Sequence, residues 1–179
     1  MSENILRGAI QKVATGPEFS KNISEEDSYN SMLDILGSDV DSVQAAIYLI
    51  ALRMKRETMD ENIGSLKALI DKSNIITSSV DEVIDIAEPY NGFLRNTPMS
   101  AFLPAVFSSV GLPCVTHGVE TVGPKFGLTI KKILKTAGIN VDQDVESAAS
   151  ALSTQNLGWA YIDQEKFCQP LYKLVELRT

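Results

Sequence analysis

Apolar positions in the first part of the chain recur at helical spacing. Ile5, Ala9, Ile10 and Val13 fall on one face, and Gly16-Pro17 predicts the end of that helix. Ser24-Glu25-Glu26-Asp27 has the form of an acidic capped start, with carboxylates where a helix N-terminus favours negative charge. Tyr29, Met32, Leu33 and Leu36 then give one apolar face, closed by Gly37. Ser38 or Asp39 is the expected cap of the next helix, whose run Val43–Leu52 is apolar almost all round and predicts a central position. Arg53, Lys55 and Arg56 finish it, as a helix C-terminus favours. Thr58-Met59-Asp60-Glu61 matches a capping box for a fourth helix, with Ile63, Leu66, Leu69 and Ile70 expected to face inward. Residues 1–73 thus predict a helical domain of short antiparallel neighbours.

The period changes after Ser73. Asn74 to Asp81 is a polar connector, and Val83–Ile86 is a short β-branched run suited to a buried strand. Pro98 opens a helical pattern through Phe102, Val106 and Val110, with Pro104 placed to kink it and Gly111 as its C-terminal cap. Pro113–Thr116 reads as a second strand running into His117-Gly118. A helix from about Gly127 to Thr136 follows, then one over Asp144–Leu152, a strand at Trp159–Ile162 and a last helix at Phe167–Leu177. Alternation of strands and helices predicts an α/β fold over residues 74–179, a partial parallel sheet with crossover helices. Ligands of such sheets lie beyond the carboxyl ends of strands, where Glu88-Asn91-Gly92 and His117-Gly118 both fall.

Charge narrows the function classes. Sixteen Lys and Arg against 23 Asp and Glu leave a net charge of -7. Such a surface repels nucleic-acid backbones unless a local basic patch is built, for which Lys125, Lys131, Lys132 and Lys135 are the candidate strip. Two cysteines, Cys114 and Cys168, lack metal-ligand spacing and give no compositional support for a disulfide. Cys168 reads as a small buried residue, and Trp159 and Tyr161 as core. No apolar run reaches the roughly 18 residues of a spanning helix, and the start lacks the apolar stretch of a secretory signal. A cytoplasmic protein with no membrane contact is the expectation.

Two stretches carry a resemblance. "LIALRMKRET" with "MDENIGSLKALI", and "VTHGVETVGPKFGLTIKKILKTAGINV", resemble segments of the anthranilate phosphoribosyltransferase family, glycosyltransferase family 3. "GWAYIDQEKFCQPLYKLVELRT" resembles the strand and helix that follow there. The match runs over nearly the whole chain and corresponds to the helical domain plus the first part of the α/β domain. The family's later part, with an acidic pair that binds magnesium, has no counterpart in these 179 residues.

The resemblance implies transfer of phosphoribose from phosphoribosyl pyrophosphate to an aromatic amine, in a family of tryptophan biosynthesis. It implies magnesium accompanying the diphosphate, no metal site of the chain's own, and a homodimer formed through helical domains. A diphosphate requires converging backbone N–H groups and cations, and the ribosyl centre requires electrostatic support more than a nucleophile. The chain departs from the family at the phosphate loop, which reads "AEPYNGFLRNTP" and places Glu88 where phosphate would lie. Thr116, Val119 and Glu120 stand where the family has lysine, asparagine and arginine. The substrate-binding candidates are Gly92, Arg95, His117, Gly118, Lys125 and Gly127, with no catalytic residue assigned. Arg95 and Lys125 would supply charge and the glycines close backbone approach. Each has a plainer reading: His117 as a hydrogen-bonded structural residue, Lys125 as a solvated turn lysine, the glycines as turn formers. Two functions stay open, a transferase with impaired activity and a non-enzymatic relative that binds nucleic acid or acts as an interaction module.

Overall fold

The computed structural model describes residues 3–37, 39–87, 92–154 and 157–178. It forms two compact units, Met1–Ser73 and Asn74–Thr179. Ser38, Glu88 and Asn91, to which the sequence assigned capping or phosphate-loop roles, lie outside the described residues.

The first unit consists of α1 (Glu3–Val13), α2 (Glu25–Ile35), α3 (Ser42–Lys55) and α4 (Met59–Asp71). Ser24 caps α2 through the Asp27 N–H, and Thr58 with Glu61 forms the complete capping box of α4. Asp41 caps α3, accepting from the N–H groups of Val43 and Gln44, so neither Ser38 nor Asp39 is needed there. Two expectations about buried faces fail. On α3 only Ala45, Tyr48 and Leu52 are buried, while Val43, Ile50 and Met54 are 63%, 58% and 75% exposed. A four-helix unit is too small to cover a helix that is apolar on every side. On α4 the inward residues are Glu61, Gly64 and Ala68, whereas Leu66 and Ile70 are exposed.

Close approach of α2 to α4 explains the second reversal. A Cβ on Gly64 would sit 2.3 Å from the Glu25 carbonyl oxygen and 2.9 Å from Ser28 Cβ, so the seam admits only the smallest side chains. Ser28 Oγ donates to the Glu61 carbonyl at 2.7 Å. The Glu61 carboxylate, fully buried, accepts from Ile23 N at 2.9 Å, Thr58 N at 2.7 Å and Lys55 Nζ at 2.8 Å. Burial by itself raises the Glu61 pKa. The Lys55, Thr58 and Ile23 donors outweigh it and hold the carboxyl below its ordinary value.

The second unit is a parallel sheet in the order β1 (Ile84–Ala87), β2 (Cys114–Gly118), β3 (Trp159–Asp163). Register pairs Ile84 with Cys114 and Ala87 with His117, then Cys114 with Trp159 and Gly118 with Asp163. Parallel neighbours require crossovers. The first is a 3-10 turn (Met99–Phe102) and α5 (Leu103–Ser109); the second contains α6 (Ile130–Thr136) and α7 (Val145–Leu152). Ile130, Ile133 and Leu134 of α6 pack with Val141, Ala101 and the Tyr161 ring to form the core.

Local chemistry shifts several boundaries. The segment after Pro98 is not one kinked helix: it begins as the 3-10 turn, and Pro104 stands in the first turn of α5, where a missing N–H costs no hydrogen bond. Helix α6 starts at Ile130 rather than near Gly127, because Thr129 caps it by accepting from Lys132 N. His117 and Gly118 belong to β2 instead of following it. The last predicted helix is three pieces, α8 (Gln164–Phe167), α9 (Gln169–Lys173) and a 3-10 turn (Leu174–Arg178). Cys168 has non-helical backbone angles and Pro170 opens α9, which together divide it.

Candidate functional site

The carboxyl end of β2 carries the chain into a cavity of about 290 Å³. His117, Gly118, Gly92 and Tyr161 line it together with apolar side chains of α6 and the C-terminal segment. Three of the sequence-predicted residues, Gly92, His117 and Gly118, therefore meet at one place. His117 is half-buried, with Nε2 3.3 Å from Asp85 Oδ1 across the β1–β2 pair. Its ring also stands edge-on to Phe167, with centroids 5.5 Å apart. These contacts fix the imidazole at the rim.

Gly92 and Gly127 meet each other. Gly92 has φ +94°, and a Cβ there would lie 2.4 Å from the Gly127 carbonyl carbon; one on Gly127 would lie 2.6 Å from that of Gly92. Beside them Phe93 and Leu128 form an antiparallel bridge, with both N–H···O distances 2.9 Å. The backbone approach expected for a ligand is thus made by the second loop. The pairing sets the two loops side by side. Arg95 follows Phe93 and Lys125 precedes Leu128, so antiparallel pairing carries both in the same direction from the bridge, and both are exposed. Neither lines the cavity.

The lysines of the candidate basic strip have separate environments. Lys131 is buried and donates to Asp163 Oδ2 at 2.8 Å, with Asp142 Oδ1 at 3.3 Å. Burial alone would depress its pKa; the Asp163 and Asp142 partners reverse this and hold it above the ordinary lysine value. Lys132 donates to Thr121 Oγ1 and the Gly127 carbonyl, and Lys135 pairs with Glu120 at 3.1 Å. Lys131 is thus withdrawn from the candidate strip and Lys135 is matched by Glu120. Glu120, set by sequence against an anionic ligand, is engaged by Lys135.

Two features were not legible in the sequence. Lys131 sits beside Ile130 within the buried stripe of α6, and a lysine at such a position is the signal that a carboxylate waits inside. Tyr161 is 1% exposed and its ring belongs to the core as expected, yet its hydroxyl has no hydrogen-bond partner among the described residues. Burial, and then the charges of Asp163, Asp142 and Glu120, push that phenol's pKa up. Cys114 is buried in β2 with its thiol pushed up to about 11, chiefly by burial, which makes it a poor nucleophile. No group of three or more His, Cys, Asp or Glu among the described residues is arranged to hold a metal ion. No helix among them is long and apolar enough to cross a membrane.

A helical bundle, a parallel sheet and loops gathered at its carboxyl edge define the class. Residues 7–73 match the helical bundle domain of the glycosyl transferase family. The chain is anthranilate phosphoribosyltransferase-like. It is 30% identical over 142 residues to the anthranilate phosphoribosyltransferase of Methanothermobacter thermautotrophicus, covering 79% of this chain and 40% of the relative. To that of Geobacillus kaustophilus it is 29% identical over 157 residues, covering 88% and 44%. The crystal structure of anthranilate phosphoribosyltransferase from Thermus thermophilus shares its fold, with a TM-score of 0.76 at 18% identity over 97% of this chain and 49% of that one. The chain spans about half the length of the curated relatives it matches.

Proposed function

We propose that this chain serves a phosphoribosyltransferase-type protein in which phosphoribosyl pyrophosphate is held weakly and transfer is impaired. In the full reaction the ribosyl C1–O bond breaks, pyrophosphate leaves with the electron pair, and an amine nitrogen forms the new bond and sheds a proton. The observation that carries the reading is the Phe93–Leu128 pairing, which sets the Arg95 and Lys125 loops side by side next to the end of β2. Two cations on adjacent loops suit a diphosphate. Val119 and Glu120, standing where the family resemblance expects asparagine and arginine, account for the impairment. Among the described residues no group of three or more His, Cys, Asp or Glu is arranged to hold magnesium.

Calorimetric titration of phosphoribosyl pyrophosphate with magnesium, into wild type and an Arg95→Ala, Lys125→Ala double variant, tests the placement. Weak binding lost in the variant is expected; equal binding in both proteins refutes it. Self-association belongs to the same proposal. The exposed Val43, Ile50 and Met54 of α3 supply apolar surface for a second copy.

A further inference from the structure

The first crossover presents an apolar stripe to solvent. Met99, Phe102, Leu103, Val106 and Val110, from the 3-10 turn and α5, are between 37% and 71% exposed. At about 3.6 residues per turn, Leu103, Val106 and Val110 fall within about 60° of one another and form one face. The opposite face packs inward: Ala101 and Pro104 are buried, and Ser108 Oγ donates to the Leu157 carbonyl. Exposed apolar stripes mark interaction surfaces, and the chemistry of this one limits its partner. No residue from Asn96 to Thr116 is charged, whereas the chain carries a net charge of -7. Two copies therefore repel one another unless they meet across a charge-free surface such as this. Spacing points the same way. Met99 and Val110 stand equally far from the midpoint between Pro104 and Ala105, and so do Leu103 and Val106. A two-fold axis through that midpoint sets Met99 of one copy against Val110 of the other, and Leu103 against Val106. An isologous contact requires this kind of self-complementarity.

We propose that the outer face of α5 is an interface with a second copy of this chain, formed by antiparallel packing of the two stripes. Covering both stripes removes on the order of 1,000 Å² from water, the small end of specific interfaces. The contact is accordingly weak, with a Kd of roughly 10 μM. It is separate from the α3 surface and uses neither Arg95 nor Lys125.

Analytical ultracentrifugation of the full chain over about 1–100 μM reads the association. Ile50→Glu with Met54→Glu takes the α3 surface out of play, and this variant should still dimerise. Adding Val106→Glu and Val110→Glu buries like charges in the α5 contact and should weaken dimerisation by about tenfold or more. Both α5 positions are exposed, so the urea midpoint should stay unchanged, which separates loss of contact from loss of fold. The register is read independently by cross-linking. A mixture of Leu103→Cys and Val106→Cys chains, oxidised with diamide, should form disulfide-linked dimers faster than either variant alone; the native Cys114 and Cys168 are buried. Three results overturn the proposal: an α3 variant that stays monomeric over this range, equal dimerisation with and without the α5 substitutions, or cross-linking no faster in the mixture. The first of these assigns the α5 face to a different polypeptide.

Discussion

Replacing Lys131 with methionine keeps a long apolar stem and removes the charge that neutralises Asp163. The two side chains are 8% and 5% exposed and 2.8 Å apart. At an effective dielectric of about 20 their attraction is about 6 kcal/mol. Much of that offsets the cost of taking both ions out of water, so the pair's net contribution is small. Removing one partner is different: Asp163 is left buried with the long Glu165 N–H bond, at 3.3 Å, to its Oδ1. Breaking buried pairs costs about 3–5 kcal/mol, and the remaining backbone donor places this case near 3. Urea unfolding followed by Trp159, the only tryptophan and a β3 residue, reports on this unit. With a urea slope of about 1–3 kcal/mol/M the midpoint should fall by about 1–3 M. A Lys131→Met, Asp163→Asn double variant should recover to within about 1 kcal/mol of wild type. The pH dependence has a definite sign. The Lys131 pKa is raised on folding, so its contribution is complete below the unfolded value of about 10.4 and is lost as pH rises through the folded value. A loss under about 1 kcal/mol in the single variant, or a double variant no more stable than the single one, refutes the reasoning.

Glu61→Gln should destabilise the helical unit by about 2–4 kcal/mol, measured by urea unfolding followed by circular dichroism. Because the Glu61 pKa is lowered on folding, its contribution is present above the unfolded value of about 4.3 and fades as pH falls through the folded one. The variant should therefore show a flatter acid limb. Gly64→Ala, with a Cβ 2.3 Å from the Glu25 carbonyl, should cost at least about 1–3 kcal/mol despite alanine's better helix propensity; a stabilised variant would contradict the α2–α4 seam. Light scattering at micromolar concentration should show self-association, reduced by Ile50→Glu together with Met54→Glu; a clean wild-type monomer counts against the role given to α3.

Local signals were sufficient for much of the fold. Short-range chemistry specified Ser24 and Thr58 as caps, because a side-chain oxygen reaches N–H groups two or three residues away. The switch in apolar period marked the strands, and their alternation with helices implied parallel pairing, which the sheet shows. The resemblance to the phosphoribosyltransferase family was likewise carried by the sequence. The buried faces of α3 and α4 were not, since apolar residues surround α3 and the α4 seam selects Gly64 by distance rather than hydrophobicity. At the candidate site, sequence named Gly92 and Gly127 separately, but only folding brings a segment after β1 against a segment after β2, leaving no room for a Cβ between them. The partner of Lys131 lies 32 positions away, and the orphaned Tyr161 hydroxyl depends on every neighbour around it. Caps and periods are local properties of the chain; which charge is matched and which polar atom is left without a partner are properties of its packing.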